Sequence, residues 1–489
     1  MGDYILLFPV FFPIVCGVLM PFIKNSKARN CFAAAVLLIE LAVAFSIAFG
    51  PKREIEVWRI SGMLSIAFAN DGLSRIYICL IGAIWFAAAI FSFEYMKHET
   101  RVGRYFMFYT ASVGVLMGIS LSANFMTMYL FYEFMTLATV PLVLHTETHD
   151  SIAAGLKYLG YSIFGAGLGL IGFFFLCIYG DTTTFTAGGV LNTVAIMGHE
   201  NFLRVVYLGM MIGFGCKAGM YPLHAWLPTA HPVAPAPASA VLSGIITKCG
   251  VLAIIRTTYY LFGVDFVRGT WVQNVILVLA ICTVFMGSML AYREKMLKKR
   301  LAYSSISQVS YVLFGLFLMT PQAFCGAILQ IVAHAIAKNA LFLSAGAVIY
   351  KTGHTYVDEL KGIGKQMPIV MGCFTVASLS LVGIPPTGGF VSKWFLATGA
   401  LECTVENLIP VIGIVVLIIS ALLTAGYLLT IVADAYFPGK DFDYGSLEKK
   451  EPNLLMLVPL IVLACGVVIV GTFPSGLIWL AENIAGSIF

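Results

Sequence analysis

The chain has 489 residues, of which 60% are hydrophobic and only 11% charged, against about 25% charged in soluble proteins. With so little polar surface it cannot cover a soluble fold, and a mean hydropathy of +0.93 agrees. The net charge of +5 arises mainly in loops, and no basic, aromatic-rich surface suggests nucleic acid.

In lipid, only helices and closed barrels satisfy their backbone internally. Barrel strands alternate in polarity, whereas here apolar stretches run unbroken for 18 residues or more, so helices are expected. Apolar windows between charged or Pro/Gly-rich breaks predict an all-α polytopic membrane protein with about fourteen spans. They fall at roughly 4–23, 31–49, 72–94, 105–121, 125–144, 156–179, 203–223, 236–262, 272–291, 302–319, 323–350, 368–400, 408–435 and 454–482. The first lacks a basic flank and a small-residue cleavage site, so it reads as a retained helix. The stretch around Trp58–Phe68 is too polar at its start for a span and reads as an exposed loop.

Loops after odd-numbered spans carry eighteen lysines and arginines, densest at Arg293–Arg300 and including Lys24, Lys27, Arg29, Lys97 and Lys440; the opposite loops carry five. The positive-inside rule then puts the chain in the cell (inner) membrane with both termini on the outer side. The eleven cysteines are scattered, with no C-x-x-C. No metal or iron–sulfur cofactor is expected in this chain, and any coupled electron transfer belongs to another subunit.

Ionisable groups in the middle of apolar spans are costly and are functional candidates by default. Glu133 is central in the fifth span, with Tyr129 and Thr136 on its face. Lys217 precedes a proline break, Lys248 is central in the eighth span, and Lys338 follows His334 and Gln330 at one-turn intervals. Lys393 follows G-I-P-P-T-G-G-F. Structural ion pairs or lysines snorkelling to the interface are the bland alternative, but four central lysines face one obvious carboxylate. A buried lysine without a partner is a group that can lose and regain a proton, as a relay requires.

Pro222, Pro228, Pro232, Pro235 and Pro237 forbid a continuous helix at the first break, as Pro385 and Pro386 do at the second. Broken backbone at membrane depth survives only where protein or a water-filled cavity satisfies it, and paired breaks point to an inverted-repeat transporter core. The expected units are 1–104 (helices 1–3), 105–262 (first inverted five-helix repeat), 272–435 (second repeat) and 436–489 (helix 14), with helices 7 and 12 broken. His224 and His231 have the wrong spacing for a helical metal pair; a supporting relay role and a hydrogen-bonded structural role both stay open.

P-L-H-A-W-L-P-T-A-H-P-V-A-P-A-P-A-S-A-V-L-S-G-I-I-T-K (222–248) resembles the proton-antiporter-like membrane subunits shared by respiratory complex I, Mrp antiporters and energy-converting hydrogenases. So do K-K-R-L-A-Y-S-S-I-S-Q (298–308), H-A-I-A-K-N-A-L-F (334–342), D-E-L-K-G-I-G-K-Q-M-P (358–368) and G-I-P-P-T-G-G-F-V-S-K (383–393). The likeness spans about residues 70–435, and the first phrase is most like the formate hydrogenlyase and hydrogenase branch. The resemblance implies fourteen helices, two inverted repeats and a mid-membrane path through Glu133, Lys217, Lys248, His334, Lys338 and Lys393. It also implies a proton-translocating subunit, with no cofactor of its own, in a redox complex. Its partners would be other membrane subunits and, through them, iron–sulfur, dehydrogenase or hydrogenase subunits. An Mrp-type sodium/proton antiporter subunit is the alternative, with sodium in place of, or exchanged for, protons. A structural scaffold and a free-standing solute carrier fit less well.

Overall fold

The computed structural model describes residues 2–403, 408–439 and 448–489; Lys440, counted among the loop charges, lies outside them. After a short 3-10 turn come α1 (Phe8–Leu19) and α2 (Ser26–Phe49), then a hairpin of β1 (Glu54–Arg59) and β2 (Ser65–Ala69). The chain continues with α3 (Gly72–Tyr95), α4 (Val102–Leu121), α5 (Phe125–Val143), α6 (His149–Tyr179), α7 (Glu200–Ala218) and α8 (Leu227–Val233). Next, α9 (Ala236–Val241), a π turn, α10 (Thr247–Ile255) and a second π turn run on as one helix from Ala236 to Phe262. A short α11 (Val264–Val267) leads to α12 (Trp271–Arg293), α13 (Leu297–Leu318) and α14 (Pro321–Thr352). The rest is α15 (Ile363–Gln366), α16 (Pro368–Val382), α17 (Gly388–Glu402), α18 (Ile409–Tyr436), α19 (Leu454–Thr472) and α20 (Ser475–Ile488).

Among the described residues twelve helices are long and apolar enough to cross a bilayer, and each coincides with a predicted stretch. Of the two other predicted stretches, 203–223 falls on α7 and the break after it, with α8 beyond its predicted end, and 368–400 falls on α16 and α17. Two expectations need correction. The polar stretch near Trp58 is a hairpin, not a loop: β1 is largely exposed, but it pairs antiparallel with β2, whose Phe68 is fully buried. That ring packs edge-on against Phe131, with centroids 5.7 Å apart. The predicted span 454–482 divides at Phe473–Pro474, because proline cannot donate the hydrogen bond that would continue α19 into α20.

The helices sort by burial. Ala236–Phe262 and α13 form the interior, and α14 packs against α3, α9, α13, α16, α17, α19 and α20. In contrast α18 presents Ile412, Val415, Ile418 and Leu422 outward. Neighbour relations recur along the chain. α4 packs on α5, α5 on α6, α6 on α7 and α7 on α10; likewise α12 packs on α13, α13 on α14, α14 on α16 and α17, and α16 on α18. The third helix of each series is long, at 31 and 32 residues. Each interruption begins on a left-handed glycine, Gly219 (φ 83°) and Gly383 (φ 93°), where a side chain would be strained.

Candidate functional site

The second interruption creates the acceptors that hold Lys393. The carbonyls of Leu381 and Val382 would pair in a continuous helix with residues 385 and 386, but both are prolines without an N–H. Lys393, on the first half of α17, folds back and donates to both, at 2.5 and 2.9 Å. Its ammonium also stands 5.0 Å from the centre of the Tyr311 ring. The lysine thereby satisfies the free end of α16, where the helix dipole is negative.

At the other interruption Lys217 lies one residue from the end of α7 and is wholly buried. Its Nζ donates to Thr136 Oγ1 (2.6 Å) and Tyr158 OH (3.0 Å), and lies 4.7 Å from the centre of the Tyr158 ring. Lys217 and Glu133 form no ion pair in this structure. Glu133 is half-buried and accepts a bond from Tyr129 OH (3.1 Å), with no cation within salt-bridge distance among the described residues. Its helix face borders the exposed Phe134 and Leu137, while Thr136 and Tyr132 point inward to the lysine.

Lys248 follows the π turn Leu242–Ile246 and donates to the carbonyl of Ser243 (2.8 Å) and to Thr247 Oγ1 (3.3 Å). Gly250 allows α7 this close: a Cβ there would meet the Cβ of Lys217 at 2.8 Å. Lys338, also wholly buried, donates to the carbonyl of Leu301 (2.9 Å). Between the two lysines the hydroxyls of Ser243 and Ser305 touch at 2.5 Å, and Ser305 Oγ shares the Leu301 carbonyl (2.9 Å). The two serine hydroxyls thus stand between the lysines, but each lysine bonds a backbone carbonyl and not a serine hydroxyl.

One turn before Lys338, His334 is buried, and neither ring nitrogen has a partner among the described residues; the charged groups facing it are Lys248, Lys338 and Lys393. A further turn back, Gln330 donates to Gln308 Oε1 (3.0 Å) and accepts from Ser392 Oγ (2.5 Å). Gln308 in turn donates to the Leu381 carbonyl that Lys393 holds (3.4 Å). His334 is therefore an unbonded link between a Lys248–Lys338 segment and a Gln330–Lys393 segment. His231 joins this line: it is wholly buried against Phe342, facing Lys248, Lys298 and Lys338. His224 does not. It is half-buried beside Tyr221, with Lys157 as its charged neighbour.

Several groups in these contacts were not singled out from the sequence. Ser243, Ser305, Gln308 and Ser392 are uncharged polar residues in apolar helices, a weak signal beside a buried charge. Arg256 is 2% exposed and pairs with Asp71, the N-cap of α3, through two bonds of 2.5 and 2.9 Å. Glu40, in the second span, is 1% exposed, and neither carboxylate oxygen is hydrogen-bonded among the described residues. Among the described residues no three or more His, Cys, Asp or Glu side chains gather as a metal site would require.

Residues 122–423 match the family described as NADH:quinone oxidoreductase/Mrp antiporter, transmembrane, and residues 58–106 match the N-terminus of complex I chain 5. An NADH-quinone oxidoreductase subunit of Desulforudis audaxviator is 30% identical, over 97% of this chain and 96% of its own length. A Na(+)/H(+) antiporter subunit of Alkalihalophilus pseudofirmus is 28% identical, over 81% of this chain and 80% of its own. The fold matches a chain of the Mrp complex from Dietzia sp. with a TM-score of 0.85 at 22% identity, covering 100% of this chain and 98% of that one. With Lys217 and Lys393 on its two interrupted helices, the chain belongs to the NADH:quinone oxidoreductase/Mrp antiporter family of membrane subunits.

Proposed function

We propose that this chain is the proton-translocating, antiporter-like subunit of a redox-driven membrane complex of the complex I or energy-converting hydrogenase type. The observation that carries the reading is a line of cationic groups without carboxylate partners among the described residues: the buried Lys217, Lys248 and Lys338 and the half-buried Lys393, with His334 among them. Structural lysines at such depth would be paired with acids; these are held by hydroxyls and carbonyls, which accept a bond without fixing the charge. When Glu133 closes on Lys217 it favours the ammonium; when the contact opens, as here, the proton is released toward Lys248. Serines, His231 and His334 carry it to Lys338 and Lys393.

Residues 105–262 and 272–435 are two inverted repeats in this reading, each supplying a half-channel, with 1–104 and 436–489 flanking them. The recurring neighbour order and the paired interruptions support that division. Both termini lie on the outer side of the cell membrane, and cysteine labelling of the Tyr292–Leu301 loop from each side checks this. The protein is assembled with other membrane subunits and, through them, with iron–sulfur, dehydrogenase or hydrogenase partners.

A second reading, as part of an Mrp-type sodium/proton antiporter, is favoured by the likeness to the Alkalihalophilus pseudofirmus protein. One experiment tests both: the complex that purifies with this chain is placed in vesicles, and proton uptake is driven first by electron donors and then by a sodium gradient. Donor-driven uptake that Lys338→Met abolishes supports the redox reading. Sodium-driven uptake without oxidoreductase subunits supports the second. Undiminished uptake by an assembled Lys338→Met complex overturns the path itself.

A further inference from the structure

Away from the lysine line, a cavity of about 690 Å³ opens where α2 begins and α3 ends, beside the starts of α4 and α19. Its rim carries Lys27, Arg29 and Lys97, and its floor is apolar, with Phe93 and Met96. Lys97 is paired with Glu94 at 2.6 Å, and Glu94 is held by Tyr350 OH at 3.1 Å. Among the described residues Lys27 and Arg29 have no carboxylate partner. The rim therefore keeps two unneutralised positive charges, close to the free N–H groups at the start of α2, which Asn25 only partly caps. Arg29 Nε and Asn30 Oδ1 are buried there without a hydrogen-bond partner, and buried polar atoms left this way are costly.

We propose that this cavity binds the headgroup of an anionic phospholipid, its phosphodiester on Lys27 and Arg29 and an acyl chain against Phe93 and Met96. The volume lies within the roughly 300–1,000 Å³ of ligand cavities. A soluble metabolite would gain nothing from an apolar floor of Phe93 and Met96, and a zwitterionic lipid would bring a second cation to a cationic rim. Basic pockets between helices at the cytoplasmic boundary suit anionic headgroups, and all the helix ends concerned lie on the side with the eighteen loop cations.

The intact complex is placed in nanodiscs of phosphatidylcholine with graded phosphatidylglycerol, extracted in mild detergent and read by native mass spectrometry. One phosphatidylglycerol per copy of this chain is expected to stay bound. Each charge removed weakens retention roughly fivefold, so Lys27→Gln/Arg29→Gln shifts half-occupancy roughly 25-fold. Lys27→Arg/Arg29→Lys, which keeps both charges, retains the lipid, and salt of about 1 M releases it from the wild type. Wild-type retention by the double glutamine variant overturns the proposal. So do equal retention of phosphatidylcholine and displacement by inorganic phosphate, which would mark a simple anion site. Loss of a neighbouring protein with the lipid count unchanged would make this a protein interface instead.

Discussion

The hydroxyls of Ser243 and Ser305 lie 2.5 Å apart, between the Ser243 carbonyl that holds Lys248 and the Leu301 carbonyl that holds Lys338. The contact joins the π turn ahead of α10 to α13, and both serines are fully buried. The lysines themselves end on carbonyls, which cannot relay a proton; a hydroxyl can accept and donate at once, so we propose that the serine pair carries the proton when the two ammonium groups turn from those carbonyls to the hydroxyls. Ser243→Ala/Ser305→Ala should assemble, losing about 1 kcal/mol per hydrogen bond, but slow proton uptake roughly tenfold or more. Uptake at the wild-type rate in the assembled double variant would remove the serines from the route and leave transfer to His231 and His334.

Glu133 makes a complementary prediction. Its carboxylate is held by Tyr129, while Lys217 rests on Thr136 one turn further along the same helix. Closing the pair therefore needs only a local movement of Glu133. Glu133→Gln keeps size and hydrogen bonding but cannot favour the ammonium, so pumping should be lost while the assembled complex remains detectable. Wild-type uptake by the assembled variant would show that Lys217 cycles without it.

Much of this site could be read from the sequence because membrane burial exaggerates the cost of charge. Lys217, Lys248, His334, Lys338 and Lys393 stand out against apolar spans, and two proline clusters mark the broken helices. Serines and glutamines cost little in a helix, where Ser310, for example, simply bonds back to the Ile306 carbonyl, so Ser243 and Gln308 gave no comparable signal. The Asp71–Arg256 pair joins residues 185 apart, a contact no local pattern reveals. The hairpin escaped because its strands are short and its burial comes from Phe131 on another helix.

Arg256 is almost wholly buried, and Asp71 is its anionic partner among the described residues. Asp71 also caps α3 by accepting from the backbone N–H of Ser74 at 2.8 Å. Asp71→Asn preserves much of the cap but leaves the guanidinium uncompensated, at a cost of roughly 3–5 kcal/mol. The thermal midpoint of the purified complex should fall, and Asp71→Asn/Arg256→Met should recover part of the loss. A double variant no more stable than Asp71→Asn would show that the cap, not the charge, is what matters.

Lys393 separates a transport path from a structural charge most sharply. Its ammonium bonds two carbonyls freed by Pro385 and Pro386, so part of its role is to close the end of α16. A purely structural role needs only a fixed cation with donors, and arginine supplies both. A path needs a group that gives its proton up, which arginine does not do at physiological pH. Lys393→Ala should stop proton uptake, by roughly 10²-fold or more, and also loosen the break, so it cannot distinguish the two roles. Lys393→Arg can: the carbonyls stay satisfied and the complex assembles, yet uptake should fall nearly as far as in the alanine variant. Lys393→Glu should keep partial uptake, since a carboxyl among these groups can also bind and release a proton. The readout is proton uptake by vesicles holding each variant, normalised to assembled complex. Full uptake by Lys393→Arg would make this lysine a clamp on α16 and would end the relay at His334.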